Sequence, residues 1–265
     1  MRRAAGVLLG MGMMLALGAA HGAVVGKEVE YDANGIRLVG FLAWDEASSE
    51  ARPGVLVVHE WWGLNDYARS RARQLAELGY TALAVDMYGG GKQAEHPDQA
   101  GAFAGHLAER PDEVRARFTA ALELLRMQES MDPERIAAIG YCFGGGVVLD
   151  MARSGVDIDG VVSFHGSLAS SLEARPGEVK AKVAVFHGAD DPFVPQDDVD
   201  NFHAEMEAAG VDYEFVAYPG VIHGFTNPEA DRFGKEFDLP LAYDAGADAD
   251  SWRQMQEFFR EIFHK

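Results

Sequence analysis

The run Arg135-Ile136-Ala137-Ala138-Ile139-Gly140-Tyr141-Cys142-Phe143-Gly144-Gly145-Gly146-Val147-Val148 decides the reading of this chain. A β-branched apolar stretch stops at a glycine, the only cysteine follows two residues later, and three glycines open a second apolar stretch. The pattern predicts strand, sharp turn and helix, with Cys142 at the apex. Small residues two before and two after it leave room for a tight turn that a Cβ would fill. The form is G-x-C-x-G, a nucleophile elbow with cysteine where serine is more familiar. A glycine run after a strand can also cradle phosphate, but neither G-x-x-x-x-G-K-[ST] nor G-x-G-x-x-G is present. An isolated cysteine can equally be a buried hydrophobe, so the rest of the chain has to decide.

Outward from that point, apolar runs alternate with helical patterns. Val55-Leu56-Val57-Val58, Tyr80 to Val85, Gly160 to Phe164, Ala181 to Phe186 and Tyr213 to Tyr218 read as strands, the first of them buried on both faces. Between them lie helices capped by Asn65 and closed by Gly79, started by Pro111 with Val114, Phe118, Ala121, Leu122 and Leu125 on one face, and spanning Asp198 to Gly210. A last helix carries Trp252, Met255, Phe259 and Ile262. Ahead of them, Glu28 to Asp32 and Ile36 to Trp44 flank Asn34-Gly35, a hairpin signal. Gly89-Gly90-Gly91-Lys92 is expected to begin a mobile loop. The alternation predicts an α/β fold with a mostly parallel central sheet covered by helices on both faces.

The 265 residues suit one α/β domain, expected over 23–265. Residues 1–22 carry Arg2-Arg3, an apolar stretch from Ala4 to Ala20 and small residues around His21-Gly22, the pattern of a secretory signal peptide cleaved near 22/23. A periplasmic or secreted location is the expectation, with no membrane association after cleavage. The net charge of −19 becomes −21 once Arg2 and Arg3 are removed, which argues against nucleic-acid partners, since phosphate binding needs clustered Lys and Arg. One cysteine makes no disulfide within the chain. In an oxidising compartment it is either inert or kept for its reactivity.

In a parallel sheet the reactive side chains gather beyond the strand C-termini. Here those ends carry His59-Glu60-Trp61, Cys142, His187-Gly188-Ala189-Asp190-Asp191-Pro192 and Pro219-Gly220-Val221-Ile222-His223-Gly224-Phe225. Nucleophile, acid and histidine stand in the order used by α/β-hydrolases. From about Tyr31 to the C-terminus the chain resembles the dienelactone hydrolase family, the cysteine branch of the α/β-hydrolases. The resemblance rests on G-Y-C-F-G-G, H-G-A-D-D-P-F-V-P and Y-P-G-V-I-H-G-F.

The resemblance implies Cys142 as nucleophile, His223 as base, and Asp191 as the acid that orients it, with Asp190 as runner-up. It also places Glu60 beside the nucleophile, where a carboxylate disfavours thiolate and could guard a resting thiol against oxidation. The oxyanion hole is expected from the backbone N–H groups of Trp61 and Phe143. Trp62, Tyr88 and Phe225 are expected as pocket walls. His59 and His187 read as structural, no zinc spacing is present, and neither a metal nor a cofactor is expected.

The implied activity is hydrolysis of activated esters or lactones through an acyl-thioester, on a small-molecule substrate, by a monomer or small homo-oligomer. A non-catalytic or redox-sensing protein on the same fold is the alternative. A serine-hydrolase-like carbohydrate esterase or peptidase fits less well, because thiols handle simple alkoxide leaving groups badly. The two arginines with which well-known family members grip an anionic lactone are missing: Tyr88 is followed by Gly89-Gly90-Gly91-Lys92, and His223 by Gly224-Phe225-Thr226-Asn227. Lys92 gives no bidentate fork, and Arg232 stands nine residues past the histidine.

Overall fold

The computed structural model describes residues 23–47, 50–129 and 131–264; the expected signal peptide lies outside them. Eight strands form one sheet in the order β1-β2-β4-β3-β5-β6-β7-β8. Strands β1 (Val24–Ala33) and β2 (Ile36–Asp45) pair antiparallel around Asn34-Gly35. Both turn residues have positive φ, 54° and 82°, which Asn and Gly tolerate and a type I′ turn demands. The Gly35 N–H also donates to Asp32 Oδ1 at 2.8 Å. Strand β2 runs antiparallel to β4 (Thr81–Val85). From β4 onward all pairings are parallel, through β3 (Arg52–Val58), β5 (Met131–Tyr141), β6 (Gly160–Phe164), β7 (Lys182–Gly188) and β8 (Tyr213–Tyr218).

The period of two along β3 divides the core. Leu56 and Val58 join one apolar cluster, and Val55 and Val57 join the other. The first cluster packs under α3 (Pro111–Arg126), α4 (Phe143–Arg153) and α5 (Gln196–Ala209), the second under α1 (Asp66–Glu77) and α7 (Ala245–Phe263). Both faces of the sheet are therefore covered, which is why β4 and β6 are buried along their whole length and mostly apolar. The helix starts follow the local chemistry: Asn65 Oδ1 accepts the Ala68 N–H at 3.3 Å, and Pro111 occupies the first turn of α3.

Two segments differ from the sequence expectation. The glycines after Tyr88 are tied down rather than mobile. The Asp86 carboxylate, fully buried, accepts N–H groups from Tyr88 and Gly89 on Oδ1 (3.0 and 2.8 Å) and from Gly91 and Val39 on Oδ2 (2.8 and 2.9 Å). Beyond them α2 (Pro97–Ala108) forms where no helix was expected, and α6 (Ala230–Phe237) forms past the histidine loop. Among the described residues, no helix is long and apolar enough to cross a membrane.

Candidate active site

Strand β5 delivers Cys142 to the rim of the sheet, and α4 begins at the next residue. Cys142 sits at φ 53°, ψ −115°, a conformation that strains a side-chain-bearing residue by about 1–3 kcal/mol and persists only when its surroundings enforce it. They do. The Cys142 N–H donates to Phe164 O at 3.0 Å, while its own carbonyl accepts the N–H groups of Gly145 and Gly146. The flanking glycines are obligatory: a Cβ on Gly140 would lie 2.0 Å from Gly144 O, and one on Gly144 would lie 2.3 Å from Val58 O. The close approach predicted from G-x-C-x-G is thus the elbow's contact with β3 and with its own helix.

His223 lies in the loop after β8, and its Nδ1 is 2.7 Å from Asp191 Oδ2. The Asp191 side chain is completely buried, and its other oxygen accepts the Phe193 N–H at 2.8 Å. Asp190 beside it is exposed. The other ring nitrogen of His223 is left for Cys142. Burial opposes protonation of this imidazole, but the charge on the Cys142 sulfur, the Asp191 hydrogen bond and the Cys142 contact together outweigh it, and the His223 pKa is pushed up to about 10. The arrangement favours an imidazolium beside sulfur at neutral pH.

A cavity of about 260 Å³ opens over this pair. Trp61, Ala104, Phe143, Phe193, Val194 and Leu241 form its mainly apolar wall. Among the described residues, neither the Trp61 nor the Phe143 N–H donates to a protein acceptor. They stand on the two strand ends, β3 and β5, that flank the sulfur. That leaves both donors available to an oxygen placed between them.

Glu60 is buried beneath the same loop. Its Oε2 accepts from Asn227 Nδ2 at 2.6 Å, and desolvation, offset by Asn227, His223 and Arg71, pushes its pKa up to about 7. In this structure the carboxyl is turned toward Asn227, and the charges that act on it most are those of His223 and Arg71. Asn227 stands four residues past His223, and no sequence motif marks it as the partner of Glu60.

Behind His223 lies a second buried layer. His165, at φ 40°, packs edge-on against the His223 ring, with centroids 5.1 Å apart. Its Nε2 is 2.7 Å from Thr226 Oγ1, which is 2.6 Å from the Tyr67 hydroxyl. Arg71 closes the chain, donating to Tyr67 Oη (3.3 Å), Thr226 O (2.7 Å) and Asp248 Oδ1 (2.5 Å). Burial, followed by the charge of His223, holds His165 well below the usual histidine range, so the ring stays neutral. The repeated His-Gly strand ending was its only advance signal.

The expected pocket walls are placed differently. Trp62 is buried and stacks on Phe233 of α6, with centroids 4.5 Å apart. Phe225 is wholly buried between His165 and Tyr218. Tyr88 lies behind Phe143 and donates its hydroxyl to Trp61 O at 2.9 Å. None of the three lines the cavity over Cys142, because each ring finds apolar partners on the protein side of its loop. His59 is structural in contact: its Nε2 accepts the Met87 N–H at 3.3 Å. Among the described residues, no cluster of three or more His, Cys, Asp or Glu side chains is placed to hold a metal ion.

Comparison with known proteins agrees with this fold. The profile of the dienelactone hydrolase family matches residues 39–263. A curated protein of Aquifex pyrophilus, Protein usf, is 30% identical over 89% of this chain and 99% of its own length. A putative carboxymethylenebutenolidase of Aquifex aeolicus is 28% identical over 89% of this chain and 98% of its own. Among solved structures, one named m3DLH superposes with a TM-score of 0.86 at 39% identity, covering 91% of this chain and 99% of that one. A dienelactone hydrolase-like promiscuous phosphotriesterase from metagenomic libraries superposes at 0.83 and 36% identity, with the same coverage. With an eight-stranded, mostly parallel sheet, a cysteine elbow and a match that spans nearly all the described residues, the chain belongs to the dienelactone hydrolase family of carboxylic ester hydrolases.

Proposed function

We propose that this chain is an exported cysteine hydrolase that cleaves activated carboxylic esters or lactones through an acyl-thioester. The observation that carries the reading is Cys142 on a strained elbow, sharing one cavity with a His223 whose far nitrogen is bonded to buried Asp191. Cys142 gives its thiol proton to His223, the sulfur adds to the substrate carbonyl carbon, and the oxygen that gains charge is met by the N–H groups of Trp61 and Phe143. As the carbon–oxygen bond breaks, the His223 imidazolium gives its proton to the leaving oxygen, which leaves an acyl-thioester on Cys142. Water then loses a proton to His223 and attacks the thioester carbon. The thiolate departs and the carboxylic acid is released.

Asp191 fixes the tautomer of His223 and stabilises its charged form. Glu60 acts in this state through His223, as a second carboxyl buried near the imidazolium. The guarding role implied by the family resemblance requires it to leave Asn227 and turn to the thiol. Thiolates expel simple alkoxides poorly, so enol lactones and aryl esters are the favoured substrates.

The test is turnover of p-nitrophenyl esters and enol lactones by the mature protein. Cys142→Ala should abolish activity, and Asp191→Asn should lower kcat by about 10³–10⁴-fold, as loss of the orienting acid does elsewhere. Undiminished turnover by Cys142→Ala would sink the mechanism. Export is checked separately: N-terminal sequencing of protein recovered outside the cytoplasm should begin near Ala23.

A further inference from the structure

A second cavity, of about 290 Å³, lies on the other side of the elbow helix and is not used by the chemistry described above. It runs between the outer face of α4, the α2–α3 junction and the loop after β6, and its lining includes Leu107, Val114, Val147, Met151 and Leu172. Phe143 and Ser167 line both this cavity and the one over Cys142, so the two adjoin at the residue that follows the nucleophile. We propose that this cavity is an acyl-chain subsite, and that the preferred substrates are esters of medium-length, apolar carboxylic acids. The inference rests on the acyl-thioester reading.

The direction of the chain follows from the proton transfer. The leaving oxygen must face His223 to take its proton, and His223 lines only the first cavity, together with Phe193, Val194 and Leu241. The leaving group therefore occupies that side. Once the carbonyl oxygen lies between the N–H groups of Trp61 and Phe143, the acyl group points away from His223, past Phe143 and Ser167. The wall it meets there is apolar at Leu107, Val114, Val147, Met151 and Leu172, and it also carries Asp112, Arg115, Asp150 and the hydroxyls of Ser154, Ser167 and Ser171. This is the character of a pocket that takes a hydrocarbon chain rather than a small dianion. It also agrees with the missing pair of arginines, since a carboxylate clamp over the first cavity would serve a different substrate.

Gly146 offers a means of closing the subsite. It lines the second cavity but not the first, and a Cβ there would meet Ser167 at 3.5 Å, an ordinary contact. Ala108, exposed on the opposite wall, offers another.

The experiment is a series of p-nitrophenyl esters from acetate to decanoate, with the leaving group held constant, on wild type, Gly146→Leu and Ala108→Phe. In wild type kcat/KM should rise by on the order of threefold per methylene until the cavity is filled. In each variant the octanoate-to-acetate ratio should fall by at least about tenfold. Alkylation of Cys142 by iodoacetamide and the thermal midpoint report whether elbow and fold are intact. Two outcomes overturn the subsite: a wild-type kcat/KM that falls steadily from acetate onward, or a ratio unchanged in both folded variants. A wild type that hydrolyses no ester, or a Cys142→Ala variant that hydrolyses them all, would instead overturn the catalytic reading.

Discussion

Two buried carboxyls stand near His223 and behave differently because their hydrogen bonds differ. Asp191 accepts from the ring and from the Phe193 N–H, whereas Glu60 has the Asn227 amide and a desolvation cost that raises its pKa. Raised to about 7, the Glu60 pKa lies above its unfolded value of 4.5. Its contribution to stability is therefore fully present below pH 4.5 and is lost as pH rises through 7, where the folded protein must ionise a buried group. Glu60→Gln keeps an acceptor for Asn227 and removes that charge. The variant should match wild type near pH 4.5 and exceed it by a value of order 1–3 kcal/mol above pH 7; urea unfolding at the two pH values measures this. A gap that shrinks with rising pH would show that the Glu60 charge is stabilised in place.

At the level of elements, two glycines of the elbow helix, Gly144 and Gly146, differ sharply in what they tolerate. Gly144 faces backbone: its missing Cβ would sit 2.3 Å from Val58 O and 2.7 Å from His59 O, and its N–H donates to His59 O at 3.1 Å. Neither partner can move without opening β3 at the strand end that carries Glu60 and the Trp61 donor. Gly144→Ala should therefore cost more than about 4 kcal/mol or abolish folding, beyond the roughly 1–3 kcal/mol of ordinary overpacking, because the clash is with backbone that cannot yield. Gly146→Ala, two residues on, meets only Ser167 at 3.5 Å. It should be neutral or stabilise by up to about 1 kcal/mol, the helix propensity gained over glycine. Paired urea midpoints decide between a helix that needs small residues throughout and one that needs them only at its contact with β3. The Asp86 cradle shows the same economy, one carboxylate ordering four N–H groups from β2 and the glycine turn.

Over the whole molecule, the histidine loop is braced from below by one buried cation. Arg71 of α1 reaches Thr226 O in the histidine loop and Asp248 in α7, and its guanidinium packs over the rings of Trp252 and Tyr141. It therefore ties the first helix, the elbow strand, the histidine loop and the last helix together. Arg71→Met fills similar volume but strands the mostly buried Asp248 carboxylate. A loss of about 3–5 kcal/mol is expected. Arg71→Met/Asp248→Leu should recover part of it, because the unpaired charge is gone. Differential scanning calorimetry on the two variants separates a missing brace from a stranded charge. A double variant no more stable than the single one would assign the loss to the Thr226 contact.

Much of this protein was legible in the order of its residues. Apolar runs and helical stripes specified the alternating elements, because strand burial and helix faces are local periodicities. Asn34-Gly35 specified the hairpin, because both residues accept positive φ. Cys142, Asp191 and His223 were legible because each sits where an apolar run stops. Helix α2 was not, since two glycines and only Phe103 and Leu107 as large apolar residues give it a faint stripe. Nor were the partners of the site: Glu60 and Asn227 are 167 positions apart, and Tyr67 and Thr226 are 159.

Neighbouring tryptophans mark the boundary most clearly. Trp61 and Trp62 are alike in composition and pattern, yet one lines the cavity and the other stacks under α6. The sequence by itself determined the reactive groups and the strand ends that carry them, because those depend on short-range periodicity and turn chemistry. Only the tertiary structure decided which rings line the cavity over Cys142 and which distant side chains meet Glu60 and His165. Those outcomes depend on contacts between segments far apart in the chain, and on which side of a loop offers a ring its apolar partners.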